Sequence, residues 1–269
     1  MTQLSVRLMG GLGNQLFEIF TVIAHALRNG MEFTFQNCTS LPIGTVRPTY
    51  WGSLLDGLQT FLIPKYTIDK YQTYGEPDYT YNVLPVFTEN TALCGYFQSV
   101  KYFQDELPLI LELLNIKEKI SAMKKRFTDI FSSSICMMHF RITGYKHISD
   151  YYPLASYEYY TWALRRLNPA RVLFFHQPED EGEVLEMINR ISADFPGIIF
   201  IQAPQFLADW EQMLLMACCD QHIIANSSFS WWGAVLAGND NAVTYPANWF
   251  GPKATHNIKD MVLPSWIPG

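Results

Sequence analysis

The sequence predicts an α/β protein of two Rossmann-like domains built on parallel sheets. Three observations predict it. From residue 135 short apolar runs alternate with helical patterns, the rhythm of strands joined by crossover helices. The chain opens on a strand pattern, a glycine loop and a helix pattern. Its 269 residues, 49% of them apolar, can build two small cores.

Leu4, Val6 and Leu8 alternate with polar neighbours, which predicts a strand, and Gly10-Gly11-Leu12-Gly13-Asn14 predicts a loop. Leu16, Phe17, Ile19, Phe20, Ile23 and Leu27 recur at helical spacing until Asn29-Gly30 stops the helix. A second strand over 33–36 completes a βαβ unit. Residues 40–92, rich in Pro, Gly, Thr and Tyr, predict irregular loops and short elements. The stretch 102–131 predicts helix with a break at Pro108. Beyond it strands are expected over 135–140, 172–175, 198–201, 222–225 and 242–245. Helices are expected over 157–166, 181–195, 210–218 and 231–237. A boundary is expected at Ser132-Ser133-Ser134, giving domains 1–133 and 134–250 with a tail over 251–269.

The net charge of −6, with no basic cluster beyond Lys124-Lys125-Arg126, argues against a nucleic-acid partner. Cys38, Cys94, Cys136, Cys218 and Cys219 form no CxxC and no metal spacing, and their apolar neighbours suit reduced, buried thiols. MTQLSVRLMGG does not read as a secretory signal, and no run reaches the roughly 18 apolar residues of a membrane span. A soluble, cytoplasmic protein is expected.

Three strand ends carry suitable chemistry for a ligand. GGLGNQ follows the first strand and precedes a helix N-terminus, so it serves either as a plain strand–helix turn or as a ligand loop. It lacks the third glycine of the dinucleotide fingerprint and the Lys-Ser/Thr of a P-loop. His139-Phe140-Arg141 ends the strand at 135–140. By the period of two, His139 and Arg141 share one face when Phe140 packs into the other. Arg141 can fork onto a diphosphate or pair with a carboxylate, and His139 suits a core position as well as a site. In HIIANSSFSWWGA, Asn226, Ser227, Ser228 and Ser230 crowd a helix start, as caps or as anion donors. No Asp-x-Asp or clustered ligand set for a divalent metal is present in the sequence, so no cofactor is expected.

These stretches resemble the α-1,2-fucosyltransferases of glycosyltransferase family 11. GGLGNQLFEIF is similar to that family's opening motif, CGYFQSVKYF (94–103) to its mid-chain signature, and HFRITGY to its His-x-Arg-x-Gly-Asp-Tyr motif. IIANSSFSWWGAVLA and YPANWF resemble its closing blocks. The resemblance implies a GT-B-like fold, two Rossmann-like domains facing across a cleft. It implies metal-independent, inverting transfer of L-fucose from GDP-fucose to a sugar hydroxyl of a glycan acceptor, α-1,2 on galactose or similar. Arg141 would stabilise the departing diphosphate, with His139 beside it. Gly11, Gly13, Asn14 and Gln15 would lie at the donor–acceptor cleft. Asn226, Ser227, Ser228, Phe229 and Ser230 would line the phosphate and nucleotide pocket.

Two departures stand out. The family's Gly-Asp after the arginine is Thr143-Gly144 here, with Asp150 and Glu18 as candidate stand-ins for the carboxylate. After strand 172–175 the family's Ser-Asp-Asp is replaced by His176-Gln177-Pro178-Glu179-Asp180. Either Glu179 or Asp180 reaches the base, or both begin the next helix at its positive end. The sequence singles out no general base. Competing readings are a transferase for another GDP-sugar, a GDP-sugar-binding protein without turnover, and a carbohydrate-binding module using Trp231, Trp232 and Trp249.

Overall fold

The computed structural model describes residues 1–41, 45–239 and 242–269. Residues 42–44, part of the stretch expected to be irregular, lie outside it. The chain forms two compact units, Met1–Lys117 with Asn257–Val262, and Glu118–His256 with Leu263–Gly269.

In the first unit, β1 (Gln3–Val6), α1 (Leu12–Asn29) and β2 (Glu32–Phe33) form the expected βαβ, with β1 and β2 parallel. β3 (Gln72–Gly75) and β4 (Thr91–Cys94) complete a sheet in the order β2-β1-β4-β3, parallel throughout. Leu16, Phe17, Ile19, Phe20 and Ile23 are buried, whereas Leu27 is exposed in the last turn. α1 is buried from Leu12 to Ala26 except at the partly exposed Asn14, as expected for a helix apolar on nearly every side. Gly30, at φ 61°, caps it in the left-handed conformation. The strand predicted over 33–36 is interrupted at Thr34. Phe35–Gln36 instead pairs with Leu62–Ile63 in a separate two-stranded sheet.

α2 (Leu107–Leu113) opens at Pro108 rather than breaking there, because a first-turn position has no intrahelical N–H bond to lose. The interruption comes at Asn115, at φ 51°, before α3 (Ile116–Arg126).

The second unit follows the predicted rhythm: β5 (Cys136–His139), α4 (Tyr157–Leu167), β6 (Arg171–Phe175), α5 (Glu181–Asp194), β7 (Ile199–Gln202), α6 (Asp209–Ala217), β8 (Gln221–Ile223), α7 (Ser228–Ala237) and β9 (Val243–Tyr245). A last strand, β10 (Ile267–Pro268), was not predicted. The sheet runs β7-β6-β5-β8-β9-β10, all parallel. This is the doubly wound order, in which the direction of winding reverses between the first and fourth strands, here β5 and β8. Its core packs Cys136, Met138, Phe140, Tyr160, Val172 and Ile223.

The units depart from the expected boundaries. Residues 118–133 belong with the second unit, where Arg126 pairs with Glu211 at 2.6 Å and Cys218 contacts the Ile120 carbonyl. The expected tail is divided. Asp260 returns to the first unit, where it accepts from the Tyr81 N–H at 3.1 Å and pairs with Lys101 at 2.5 Å, and its carbonyl takes the Ser99 hydroxyl at 2.6 Å. None of the five cysteines is in a disulfide. Among the described residues no helix is long and apolar enough to cross a membrane.

Candidate active site

In open parallel sheets ligands bind beyond the carboxyl ends of the strands where the winding reverses. In the second unit that place is flanked by the residues after β5, His139-Phe140-Arg141, and those after β8, leading into α7. Phe140 turns into the core against Tyr160, at 4.5 Å between ring centroids. Arg141 is left half-buried.

Its guanidinium donates to the Gln177 side-chain oxygen and lies 5.2 Å over the Tyr145 ring. Among the described residues it has no carboxylate partner, so the ion-pair alternative for Arg141 falls away. Asp150, exposed, pairs with Lys253 at 2.6 Å instead. Gly144, at φ +85°, is the position beside Arg141: a Cβ there would lie 3.6 Å from Nη2. A carboxylate at 144 would sit against the arginine, and this chain has none.

Tyr145 joins the two strand ends. Its hydroxyl donates to the Asn226 carbonyl at 3.1 Å, and its ring stacks on Tyr152 at 5.1 Å. Burial pushes the phenol's pKa up, against the opposing pull of Arg141. His139 faces Phe229 at 6.0 Å, a second link from β5 to α7. Burial first, then the charge of Arg141, pushes its pKa down to about 3. The imidazole is therefore neutral near pH 7, adding no charge beside the guanidinium and serving poorly as a proton acceptor.

The helix predicted to start at Trp231 starts at Ser228, which reassigns the hydroxyls. Ser227 is the N-cap, its oxygen accepting from the Phe229 N–H at 3.3 Å. Ser230 is turned inward and fully buried, bonding to the Ser227 carbonyl at 3.4 Å. Asn226 is also buried, its amide donating to the Pro153 and Trp249 carbonyls at 2.8 and 3.0 Å. Ser228 and Phe229 remain partly exposed at the helix start. Trp231, Trp232 and Trp249 are buried, which removes them as a sugar-stacking surface.

The turn after β6 carries Gln177 to Asp180. Glu179 is exposed, while Asp180 is buried and accepts from the Thr143 N–H at 3.0 and 3.1 Å and from its hydroxyl. His176 contacts the Gln177 carbonyl through Nδ1 at 2.8 Å and the Gln202 amide through Nε2 at 3.0 Å. Because that amide is a donor, Nδ1 carries the proton.

In the first unit the winding reverses between β1 and β4, and the two family-like stretches meet there. The Gln98 amide donates to Asn14 Oδ1 at 3.0 Å. Gly11 caps α1, and Gly13 is buried in its first turn. Gly10 at φ +71° admits Asn14, whose Nδ2 would lie 2.5 Å from a Cβ. Gln15 is buried, bonding the Gly10 and Pro48 carbonyls at 3.1 and 3.0 Å. Glu18 is buried beneath the loop and accepts from the Met9 N–H at 3.0 Å; burial raises its pKa well above the carboxylate range. Glu76 accepts from the Tyr96 and Phe97 N–H groups at 2.8 and 3.0 Å. Gln177 and Tyr145 as contacts of Arg141, and Glu76, were not singled out from sequence. The Tyr in HFRITGY was the available signal for one of them.

The family model of glycosyl transferase family 11 matches residues 2–268. The chain belongs to this family. Among curated relatives, an O-antigen biosynthesis glycosyltransferase, WbnK, of Escherichia coli is 26% identical over 189 residues, 65% of this chain and 59% of that protein. An alpha-1,2-colitosyltransferase of Escherichia coli is 24% identical over 271 residues, 91% of each. Among solved structures, the fucosyltransferase NodZ from Bradyrhizobium aligns with 87% of this chain and 93% of its own, at 14% identity and TM-score 0.50. The E. coli ADP-heptose LPS heptosyltransferase II aligns with 100% of this chain and 90% of its own, at 10% identity and TM-score 0.55. The fold is thus of GT-B type, in two α/β units.

Proposed function

We propose that this chain moves L-fucose from GDP-fucose to a sugar hydroxyl of a glycan acceptor, α-1,2 on galactose or a similar sugar, with inversion and without a metal ion. The observation that carries the reading is the junction at the winding reversal of the second unit. Arg141, unpaired with any carboxylate among the described residues, lies over Tyr145, whose hydroxyl ties it to the start of α7. As the bond to the anomeric carbon breaks, negative charge grows on the departing diphosphate. A guanidinium and helix-start N–H groups act where that charge develops. Ser227 orders the helix start, Ser228 and Phe229 flank the nucleotide, and Glu179 is the acid left to reach the base. In the first unit Asn14, whose Oδ1 takes the Gln98 amide, is the polar side chain of the opening loop offered to a sugar. Family membership supports glycosyl transfer, and a solved NodZ α-1,6-fucosyltransferase co-crystallised with GDP supports the choice of nucleotide.

A second reading, transfer from another GDP-sugar, is favoured by the relative named for colitose and by the altered 176–180 turn. Calorimetric titration with GDP, GDP-fucose, GDP-mannose and UDP-sugars in EDTA, followed by transfer to β-galactosides, separates the two. Tight GDP-fucose binding with transfer supports the first and preference for another GDP donor the second. Binding without turnover identifies a donor-binding protein, and loss of transfer in EDTA removes metal independence.

A further inference from the structure

We propose that Asp180 is a positioning residue for Arg141, acting through Thr143 in place of a carboxylate beside the arginine. The proposal rests on the reading of Arg141 as the diphosphate contact. The turn after β6 grips the Arg141 segment at two points. Gln177 takes the guanidinium, and three residues later Asp180 takes the backbone that follows it. Asp180 is 2% exposed and accepts four bonds: from the Ile142 N–H at 3.3 Å, from the Thr143 N–H at 3.0 and 3.1 Å through its two oxygens, and from the Thr143 hydroxyl. An ionised carboxylate accepts only, and every group facing it here is a donor.

The turn itself is stiff. Pro178 fixes its first residue, the Asp180 N–H closes it on the Gln177 carbonyl at 2.9 Å, and the Gln177 carbonyl is held in turn by His176. Gln177 and Asp180 therefore move as one body, and the distance between guanidinium and loop is set by that body. A glycine at 143 would offer Asp180 only its N–H; threonine adds the hydroxyl. A carboxylate at 144 would neutralise Arg141, since a Cβ there lies 3.6 Å from Nη2. Fixing the loop from Asp180 orients the arginine while leaving its charge for the substrate.

The test uses the full chain with Arg141→Ala, Asp180→Asn, Thr143→Val and the Asp180→Asn/Thr143→Val pair. Asp180→Asn keeps the shape but turns one acceptor into a donor facing donors. Thr143 is exposed, so Thr143→Val folds without strain. Calorimetry with GDP and kcat and KM for GDP-fucose are read beside thermal midpoints. Expected are kcat losses of ~10–100-fold for Asp180→Asn and Thr143→Val, as for small misplacements of a catalytic group. KM should be nearly unchanged, and the double variant no slower than Asp180→Asn alone. Thr143→Ser should restore the rate. GDP affinity should fall in the same variants as in Arg141→Ala. The inference is overturned if Asp180→Asn and Thr143→Val match wild type in an active enzyme, if their losses multiply, or if GDP does not bind the wild type. Failure of the fucosyltransferase reading looks different: GDP binds and weakens in these variants, but fucose is not transferred.

Discussion

Arg141→Ala tests the site most directly. The half-buried guanidinium is tied to Gln177 and to the Tyr145 ring face, and no carboxylate offsets its charge among the described residues. At about 4 Å and an effective dielectric of about 20, a unit charge pair is worth about 4 kcal/mol. Removing one preorganised donor from a developing anion typically costs about 2.7–4 kcal/mol, about 100- to 1,000-fold in rate. The two routes agree, so kcat for fucose transfer should fall by about that factor. Stability should change far less, because one partly exposed side-chain hydrogen bond is worth about 1 kcal/mol, a shift of about 2–4 °C in Tm for a chain of this size. Arg141→Lys keeps the charge but loses the fork and should fall between. The assay is single-turnover transfer from labelled GDP-fucose at saturating acceptor, with Tm measured on the same samples. Turnover near wild type in a folded Arg141→Ala protein would refute the charge argument.

Three further outcomes follow from the geometry. Tyr145→Phe removes the 3.1 Å bond to the Asn226 carbonyl, so it should cost about 1 kcal/mol of stability and weaken GDP binding; unchanged titration and melting curves would dissociate the two strand ends. Glu18 has a raised folded-state pKa, so its favourable contribution is present below the unfolded value of about 4.3 and is lost as pH rises through the folded one. Glu18→Gln should raise the urea midpoint at pH 8 and leave it unchanged near pH 4, and an equal effect at both would contradict its neutral burial. His222 has a folded pKa lowered to about 4, chiefly by burial, so its contribution is present above about 6.5 and lost as pH falls towards 4. Relative to His222→Gln, wild type should lose about 1.4 kcal/mol per pH unit across that window in chemical denaturation; parallel profiles would count against it.

The second unit was legible because each buried parallel strand is a short apolar run, such as Cys136–His139 or Arg171–Phe175, followed by a patterned helix. Strand order was not, since pairing partners such as β5 and β8 lie far apart in sequence. β3 hid because Gln72, Thr73 and Gly75 are exposed polar or small residues without an apolar run. The serine cluster marked a helix start, but only the backbone identifies Ser227 as the cap and turns Ser230 inward. Arg141 was evident as a cation at a strand end. Its support from Gln177 and Asp180 was not, since that contact closes across 36–38 residues. The alternative of a sugar platform at the three tryptophans stayed open because composition carries no depth.

The divided C-terminal segment bears on how this molecule is made. Asp260 closes on Tyr81, Ser99 and Lys101, and β10 completes the second sheet only at Ile267–Pro268. The first body stays incomplete until residues 257–262 are made, after nearly all of the second, so the two cannot mature strictly one after the other during synthesis. A graft exchanging one body for that of a relative needs cuts at 117, 256 and 262, and a single crossover would leave both halves unfinished.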